Sequence, residues 1–443
     1  MQVQQKEIGQ DFISRTIAGL KMRNNAKSRS RSRTVFYESM IDYYEAPLKA
    51  RVEGRPYGWI EIQAPVELFY AMDVPPFYPE HWSLVVASQD ATIPFLEAAE
   101  QHHCKDLCSV HKVYIGALNT GELPPPQFML GLTHPCDAVL YGMQHAAFPH
   151  KHNPCACKAQ KCVAGIPIFQ MDGPFWVDET AFQYYMSEIR EGIAFMEKML
   201  GRKMDYDRLK DVVNKSVEAF RIHGLNNKLV AQRPCPRHSR DIMRSAFAYN
   251  TIVGTQYAID YLSALNQEMQ ERVDKGEGVV PNERIRLGWI NVQAYSFMEF
   301  FDAMEKEFGA VVVTDNLGAG WLGGDGTDDQ PMFPHFPDDP IRTLAARGLY
   351  HYGSTCYKDP ARFINSIIRM VKNFQLDGII FSGHWGCKNI LSLVKPLRED
   401  LLEQTGVPML VLESDCLDPR TNPLPKMMAL TREFIEMLDQ QKR

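Results

Sequence analysis

The chain has 443 residues, which is enough for about three domains at ~150 residues each. Apolar residues at 45% and charged residues at 23% are typical of an ordinary globular protein, and the net charge of −6 gives no reason to expect a nucleic-acid partner. No apolar stretch approaches the ~18 residues of a membrane span, and the amino terminus lacks an apolar signal core. We therefore expect a cytoplasmic protein without a membrane segment.

The first part of the chain alternates short apolar runs with amphipathic ones. A basic, serine-rich run at residues 27–34 precedes them, and we interpret it as a solvated linker or a helix end rather than a binding patch. The predicted strands are GWIEI, VPPFYP, FMLGLTHP and GIPIFQMD, with APVELFYAMD as a helix between the first two. This alternation indicates βαβ units and a parallel sheet.

The middle of the chain, at residues 178–275, consists of long amphipathic segments that we predict to be helices. The loop DKGEGVVPNER follows, and strands are predicted again at IRLGWINVQ, AVVVTDN, LDGIIFSG and VPMLVLESD. We therefore predict an α/β fold with two Rossmann- or flavodoxin-like parallel-sheet lobes joined by a helical segment. The predicted boundaries are residues 1–55 for an N-terminal helical or linker segment, 56–177 for the first lobe, 178–280 for the helical segment and 281–443 for the second lobe.

A short sequence repeat supports the division into two lobes. The run GWIEIQA at residues 58–64 is similar to GWINVQA at residues 288–294, and each run opens a lobe and leads into an amphipathic helix. Duplication and coincidence both explain so short a match, and we favour duplication.

Three cysteines are predicted to meet in a cleft between the lobes. Each lobe has a strand–histidine–cysteine–helix turn, with His134 and Cys136 in the first and His384 and Cys387 in the second. The positive end of a helix lowers the pKa of a thiol, which suits the thiolate to bind iron or zinc. Ligands gather beyond the carboxyl ends of strands in open α/β sheets, so facing lobes would bring these cysteines to Cys108, at the start of another predicted helix. Three ligands would leave one metal position open for chemistry.

Ten cysteines in a reducing compartment favour metal or redox chemistry over disulfide bonds. A second group lies in HKHNPCACKAQKC, where the C-x-C-x4-C spacing of Cys155, Cys157 and Cys162 suits zinc or another cluster. A surface insertion with incidental thiols is the competing interpretation. The thiols without evident partners, which we predict to be packed or spare, are Cys104, Cys235 and Cys356.

The cysteine segments resemble those of the 2-hydroxyacyl-CoA dehydratases and the ATP-dependent (class I) benzoyl-CoA reductases, and the resemblance extends from about residue 58 onward. The matching segments are LCSVHKVYIG with Cys108, LGLTHPCDAV with Cys136 and GHWGCKNILS with Cys387. The closing LESDCLDPR is similar to the acidic-strand and Asp-Pro-Arg signature of the family, here Glu413, Asp415, Asp418 and Arg420. Within the family, the larger cluster-binding subunit of benzoyl-CoA reductase is favoured by the chain length and by three runs, DDPIRTLAARGLYHYGST, FQLDGIIFSGHWGCKN and PVELFYAMDVPPFYPE.

The resemblance implies that Cys108, Cys136 and Cys387 hold a [4Fe–4S] cluster, whose fourth iron takes water, another protein atom or the substrate. It further implies an acyl-CoA substrate, a related cluster-binding subunit and an ATP-hydrolysing iron–sulfur activator as electron donor. The chain has no G-x-x-x-x-G-K-[ST] phosphate loop, so ATP hydrolysis would occur on that separate protein. The run GAGWLGGDG lacks the lysine, and we predict a flexible loop over the site.

Several neighbours of the cysteines are candidates for supporting roles. His134 and His384 are the catalytic candidates, as donors of protons or hydrogen bonds to cluster sulfur, although a local structural role is the alternative. Cys416 follows the last predicted strand, where it could deliver a fourth ligand; the three-cysteine pattern of the family places no ligand there, so the prediction omits it. Ser109 and Lys388 each follow a cysteine directly. Two interpretations are open for them: they tune the cysteine electrostatically, or they simply begin a helix. Three aromatic residues are candidates to line an acyl pocket, with packing in the core as the default alternative; they are Tyr114, Trp321 and Trp385.

The leading functional hypothesis is an enzyme subunit that carries the cluster of an acyl-CoA reductase and reduces an aromatic acyl-CoA of the benzoyl-CoA type. The alternative is a 2-hydroxyacyl-CoA dehydratase subunit, a lyase that eliminates water through a ketyl radical. A non-enzymatic iron–sulfur electron-transfer or scaffold protein is the alternative of another class, and a zinc-stabilised structural subunit is less favoured.

Overall fold

The computed structural model has a mixed α/β fold, and its described part contains two four-stranded sheets whose paired strands are all parallel. This confirms the prediction of an α/β protein with two parallel-sheet lobes. The described residues are 11–25, 30–61, 63–123, 125–133, 136–147, 165–174, 176–318, 333–355, 359–421 and 423–442. The predicted features that lie outside them are His134, Cys155, Cys157, Cys162, Trp321, Cys356 and most of GAGWLGGDG.

The first sheet has the strand order β2-β1-β3-β4. Its strands are β1 (Gly58–Ile60), β2 (Pro76–Phe77), β3 (Phe128–Leu132) and β4 (Ile168–Met171). All five residues of β3 are buried, as expected for a parallel strand covered on both faces. The helices between these strands are α3 (Glu67–Ala71), α4 (Pro79–Ala87), α5 (Ile93–Glu100), α6 (Ser109–Asn119) and α7 (Asp137–Ala147).

The second sheet repeats the same relative strand order, as β6-β5-β7-β8. Its strands are β5 (Ile285–Ile290), β6 (Ala310–Asp315), β7 (Gly378–His384) and β8 (Met409–Ser414). The GWIEIQA and GWINVQA runs fall on β1 and β5, which hold equivalent places in the two sheets, and Trp59 and Trp289 are both buried. The shared strand order favours duplication over coincidence.

Helices form the rest of the described chain. Before and between the sheets are α1 (Asp11–Asn24), α2 (Arg31–Val52), α8 (Glu179–Leu200), α9 (Tyr206–Val230), α10 (Asp241–Asn250) and α11 (Gln256–Lys275). Around the second sheet are a 3₁₀ turn (Tyr295–Phe297), α12 (Met298–Phe308), α13 (Pro340–Thr355), α14 (Pro360–Phe374), α15 (Lys388–Leu391), α16 (Val394–Thr405) and α17 (Leu424–Gln441). Among the described residues, no helix combines the length and apolarity needed to cross a membrane.

Local sequence signals explain where the helices begin and end. Asp178 caps α8 by accepting a hydrogen bond from the N–H of Ala181 at 2.8 Å, and the helix ends at Gly201, whose φ of 65° is in the left-handed region. The basic run at residues 27–34 contains the start of α2, which agrees with a helix end. The Ser32 hydroxyl donates to a Glu268 carboxylate oxygen at 2.7 Å, which fastens α2 to α11.

Candidate metal centre

Each of the three predicted cysteine ligands precedes a helix. Cys108 precedes α6, Cys136 precedes α7 and Cys387 precedes α15. Cys136 and Cys387 also follow β3 and β7, which are third in chain order in their sheets, so the predicted strand-to-helix turns are present at both. Parallel strands align their carboxyl ends at one edge of a sheet, and ligands bind beyond that edge in open α/β folds.

The two lobes meet where Gly386 lies against Cys108. A Cβ atom added to Gly386 would lie 2.3 Å from the Cα and 2.8 Å from the Cβ of Cys108. No side chain fits in such a space, so glycine is required just before Cys387. This close backbone approach brings the Cys387 turn of the second lobe to the Cys108 turn of the first.

The thiols of the site influence one another electrostatically. Burial raises the pKa of Cys108 well above its ordinary value, and the neighbouring Cys416, Cys136 and Cys387 add to the rise. Burial, followed by the charge of Cys387, raises the pKa of Cys136 to about 12. Burial also raises the pKa of Cys387 to about 11. The structure thus places the three predicted cysteines, and Cys416 as well, near enough for their charges to influence one another.

His384, the last residue of β7, is fully buried between two groups of the site. Its Nε2 atom is 3.2 Å from the sulfur of Cys108, and its Nδ1 atom accepts from the backbone N–H of Cys416 at 3.4 Å. In that arrangement the Nε2 hydrogen points to the sulfur. Burial lowers the pKa of His384, while the Asp415 carboxylate, 3.5 Å from Nδ1, opposes the shift. The neutral ring is therefore placed to donate a hydrogen bond to Cys108.

Asp415 organises the turn after β8. Its carboxylate accepts hydrogen bonds from the Ser109 hydroxyl and from the backbone N–H groups of Leu417 at 2.9 Å and Asp418 at 3.0 Å. Ser109 follows Cys108 directly, so this interaction connects the cysteine turn of the first lobe with the β8 turn of the second. The structure therefore gives Ser109 a structural role between the lobes, and its tuning of Cys108 stays a prediction.

The other signature residues also bind the first lobe. Arg420 donates to Glu100 at 2.8 Å, and the buried ammonium of Lys112 binds the same carboxylate at 2.9 Å. The Thr92 hydroxyl donates to the backbone carbonyl of Leu417 at 2.8 Å. The β8 turn is therefore fastened to α5 and α6, the helices on either side of Cys108.

Two further predicted residues have simple surroundings. Lys388 does not contact a cysteine through its ammonium group, which binds Asp106 at 3.0 Å in an exposed ion pair. Tyr114 is buried, and its hydroxyl lies so close to Gly142 that a Cβ atom there would be 1.8 Å from the hydroxyl oxygen. Tyr114 therefore packs in the core, which is the default role given for it above. Trp385, by contrast, is about half exposed, at 47%.

Within the described residues, one set of three potential ligands has all its ligand atoms within 4.8 Å of one another, namely His384, Asp415 and Cys416. Cys108, Cys136 and Cys387 do not form such a set. Two thiolates on one zinc ion at about 2.3 Å each lie within roughly 4.6 Å of each other. At least one pair of the three cysteine sulfurs is therefore farther apart in this structure than two thiolates on one zinc ion would be.

A cavity of about 410 Å³ is connected to the Cys416 turn through two consecutive residues, Tyr295 and Ser296. Tyr295 lines it, and the adjacent Ser296 donates its backbone N–H to the carbonyl of Cys416 at 3.3 Å. The volume is within the ~300–1,000 Å³ usual for small-molecule sites. Its walls combine apolar side chains with three guanidinium groups, including Phe36, Met40, Phe247, Arg23, Arg240 and Arg244. Sequence reasoning missed this cavity, because its walls come from α1, α2, α4 and α10 as well as from the second lobe.

Comparison with known proteins places the chain in a family. The sequence model described as "2-hydroxyglutaryl-CoA dehydratase, D-component" matches residues 61–438. The chain belongs to this family. It is 21% identical over 434 residues to the (R)-2-hydroxyisocaproyl-CoA dehydratase alpha subunit of Clostridioides difficile, covering 94% of this chain and 98% of that protein. It is 23% identical over 372 residues to a benzoyl-CoA reductase subunit of Thauera aromatica, covering 78% of this chain and 80% of that protein.

A third relative is the lactoyl-CoA dehydratase alpha subunit of Anaerotignum propionicum, at 19% identity over 420 residues, with 88% of this chain and 92% of that protein covered. All of these relatives are subunits of enzymes. The comparisons confirm the predicted family, and the chain is an enzyme subunit of either the dehydratase or the reductase type.

The contact between Gly386 and Cys108 gives a first testable prediction. The substitution Gly386→Ala forces two backbones apart, and we expect it to lower the free energy of unfolding by about 1–3 kcal/mol, as overpacking does. Urea unfolding followed by circular dichroism measures this change.

Gly224→Ala is the matched control, because Gly224 lies inside α9 with no heavy atom within 4 Å of an added Cβ. Alanine there should be neutral or stabilise by up to about 1 kcal/mol. Equal stability of the two variants would show that the lobes do not touch at Gly386.

Proposed function

We propose that this chain is the [4Fe–4S] subunit of an acyl-CoA reductase catalytic component, which delivers low-potential electrons to an aromatic acyl-CoA of the benzoyl-CoA type. The observation that carries the proposal is the convergence of Cys108, Cys136 and Cys387 from two lobes at the carboxyl ends of β3 and β7. In this proposal the first lobe, at residues 56–177, supplies two cysteines, and the second lobe, at residues 281–443, supplies the third.

The donor set fits an iron–sulfur cluster. Cysteine thiolates are the usual ligands of such clusters. At least one pair of these sulfurs is farther apart than two thiolates on one zinc ion, a spacing that is compatible with a cluster. Burial favours neutral thiols at all three positions, so only a strongly cationic group would stabilise the thiolates there. The bound cluster would supply single electrons of low potential to the thioester.

His384 would act as a positioning group for Cys108. Its N–H is directed to the cysteine sulfur at 3.2 Å, and hydrogen bonds to sulfur are one of the means by which proteins set the potential of a cluster. The neutral state that burial imposes keeps this hydrogen in place without adding charge. We propose an equivalent role for His134, which precedes Cys136 by two residues and lies outside the described residues.

The cavity beside the Cys416 turn suits the proposed substrate. Phe36, Phe247 and Tyr295 offer ring faces and edges to an aromatic acyl group. Guanidinium groups bind phosphates of the kind that coenzyme A carries, and three of them line the cavity. Arg240 is paired with Asp302 at 2.9 Å and Arg244 with Asp241, whereas Arg23 donates only to the backbone carbonyl of Ser88 among its described contacts. The acyl group would lie inside the cavity and a coenzyme A phosphate at Arg23.

The proposed assembly contains two other proteins. A related cluster-binding subunit would pair with this chain, since the relatives are themselves named as single subunits of larger enzymes. An ATP-hydrolysing iron–sulfur activator would donate the electrons, because this chain has no phosphate-binding loop of the G-x-x-x-x-G-K-[ST] type.

The second candidate is a 2-hydroxyacyl-CoA dehydratase subunit. The family model carries the dehydratase name, and the alignment with the (R)-2-hydroxyisocaproyl-CoA dehydratase subunit covers 98% of that relative, against 80% for the reductase subunit. The same three cysteines would serve both reactions, so the site does not by itself select between them.

The substrate assay separates the two candidates. We expect the assembled enzyme, given activator, ATP and reductant, to convert benzoyl-CoA to a dienoyl-CoA, as followed by chromatography of the thioesters. Formation of an enoyl-CoA from a 2-hydroxyacyl-CoA, with no reduction of benzoyl-CoA, would establish the dehydratase. Failure to bind either thioester would contradict both candidates and favour an electron-transfer protein.

The ligand assignment predicts the effect of single substitutions. Cys108→Ala, Cys136→Ala and Cys387→Ala should each lose most of the iron, sulfide and visible absorbance of the protein purified without oxygen. Cys235→Ala is the control, because Cys235 is buried elsewhere and its sulfur donates to the carbonyl of Arg237 at 3.4 Å. A full cluster in any of the first three variants would remove that residue from the ligand set.

A further inference from the structure

We propose that Cys416 is the fourth protein ligand of the cluster, so that the acyl thioester receives its electron without binding iron. This inference rests on the cluster of the proposed function, and it departs from the three-cysteine pattern that the resemblance implies. The argument depends on the position of Cys416, on its polar surroundings and on the location of the cavity.

Strand register brings Cys416 to the same sheet edge as Cys387. β7 and β8 are neighbours in the second sheet, and His384 pairs with Ser414 at their carboxyl ends. Cys387 is three residues beyond His384, and Cys416 is two residues beyond Ser414. Two cysteines on adjacent turns of one sheet edge are therefore directed to the cleft that the first lobe closes.

Cys416 is also joined to Cys108 through shared neighbours. The sulfur of Cys416 is 3.7 Å from the hydroxyl of Ser109, the residue after Cys108. His384 contacts the sulfur of Cys108 with Nε2 and the backbone N–H of Cys416 with Nδ1. The second-lobe thiol is thus within reach of the first-lobe thiol across the closed cleft.

The surroundings of Cys416 differ from those of an ordinary core thiol. Cys416 is completely buried, yet the ligand atoms of His384 and Asp415 lie within 4.8 Å of its sulfur. Cys235 offers a contrast, since it is buried in the core and its sulfur donates to the backbone carbonyl of Arg237 at 3.4 Å. A buried thiol placed among other thiols and a carboxylate is suited to a cationic metal group.

Four thiolates would change how the substrate meets the cluster. A fourth thiolate adds negative charge, which lowers the potential of the cluster and leaves no iron for the substrate. The cavity proposed for the acyl group adjoins the backbone of Cys416 through Ser296. A bound cluster would then supply its electron to the thioester across the Cys416 turn, and the activator of the proposed function would be the source of each electron.

Iron spectroscopy on the full chain tests the inference. We expect the chain reconstituted with ⁵⁷Fe and sulfide to hold four irons, all with sulfur-only coordination by Mössbauer and X-ray absorption spectroscopy. Mild oxidation should not extract an iron, and benzoyl-CoA should leave the iron spectra unchanged. An iron with an oxygen or nitrogen ligand in this unsubstituted chain would overturn the inference while leaving the proposed function intact.

Variants provide a second, independent measurement. Cys416→Ala should retain the cluster but expose one iron, which mild oxidation then removes, with loss of about one iron in four and the appearance of a [3Fe–4S] electron paramagnetic resonance signal. Cys416→Ser, which keeps the size of the side chain, should replace sulfur by oxygen at that iron if alanine prevents folding. Cys235→Ala should behave as the unsubstituted chain does.

Two outcomes of these variants would contradict the assignment. Identical oxidation behaviour in Cys416→Ala and the unsubstituted chain would show that Cys416 binds no cluster iron. Loss of a single extra metal ion in Cys416→Ala, with all four irons retained, would assign Cys416 to a separate ion with His384 and Asp415. A chain that takes up no iron and sulfide at all would overturn the proposed function together with this inference.

Discussion

The centre depends on a close approach between two backbones, in which Gly386 of the second lobe lies against Cys108 of the first. Because only glycine fits there, the turn that carries Cys387 has little freedom relative to Cys108. Hydrogen bonds from Thr92 to Leu417 and from Ser109 to Asp415 hold the neighbouring β8 turn in the same way. The relative position of the lobes, and therefore of their thiols, follows from these contacts.

The second governing factor is the burial of the thiols, which is nearly complete for Cys108 and Cys416 and partial for Cys136 and Cys387. A charged thiolate is costly in a buried site, and several adjacent thiolates would repel one another as well. Positive charges of the protein itself compensate little of this cost, because the buried ammonium group of Lys112 is paired with Glu100 and burial keeps the imidazole of His384 neutral. In the proposed function, a bound cluster would supply the positive charge that compensates the thiolates.

Much of the fold was predictable because parallel strands buried on both faces leave a distinctive apolar signal. The runs that become β3 and β7 are nearly continuous apolar stretches, and each is followed by a cysteine at a helix start. The contact between Cys108 and His384 was not predictable in its details, since these residues are 276 positions apart. Cys416 was recognised from the sequence as a possible fourth ligand and was left out because the three-cysteine pattern of the family has none there; its closeness to Ser109 and His384 depends on the register of β7 against β8. The cavity was missed because it depends on packing among distant helices.

The separation of the ligands along the chain also has a consequence for biosynthesis. Cys108 and Cys136 leave the ribosome about 250 residues before Cys387, and domains commonly fold as they emerge, the N-terminal one first. The first sheet can form in that interval, but Gly386 and the β8 turn, which close the cleft, are still being synthesised. Under the proposed function, insertion of the cluster would therefore await completion of translation, and a truncated chain would expose the thiols of Cys108 and Cys136 to oxidation.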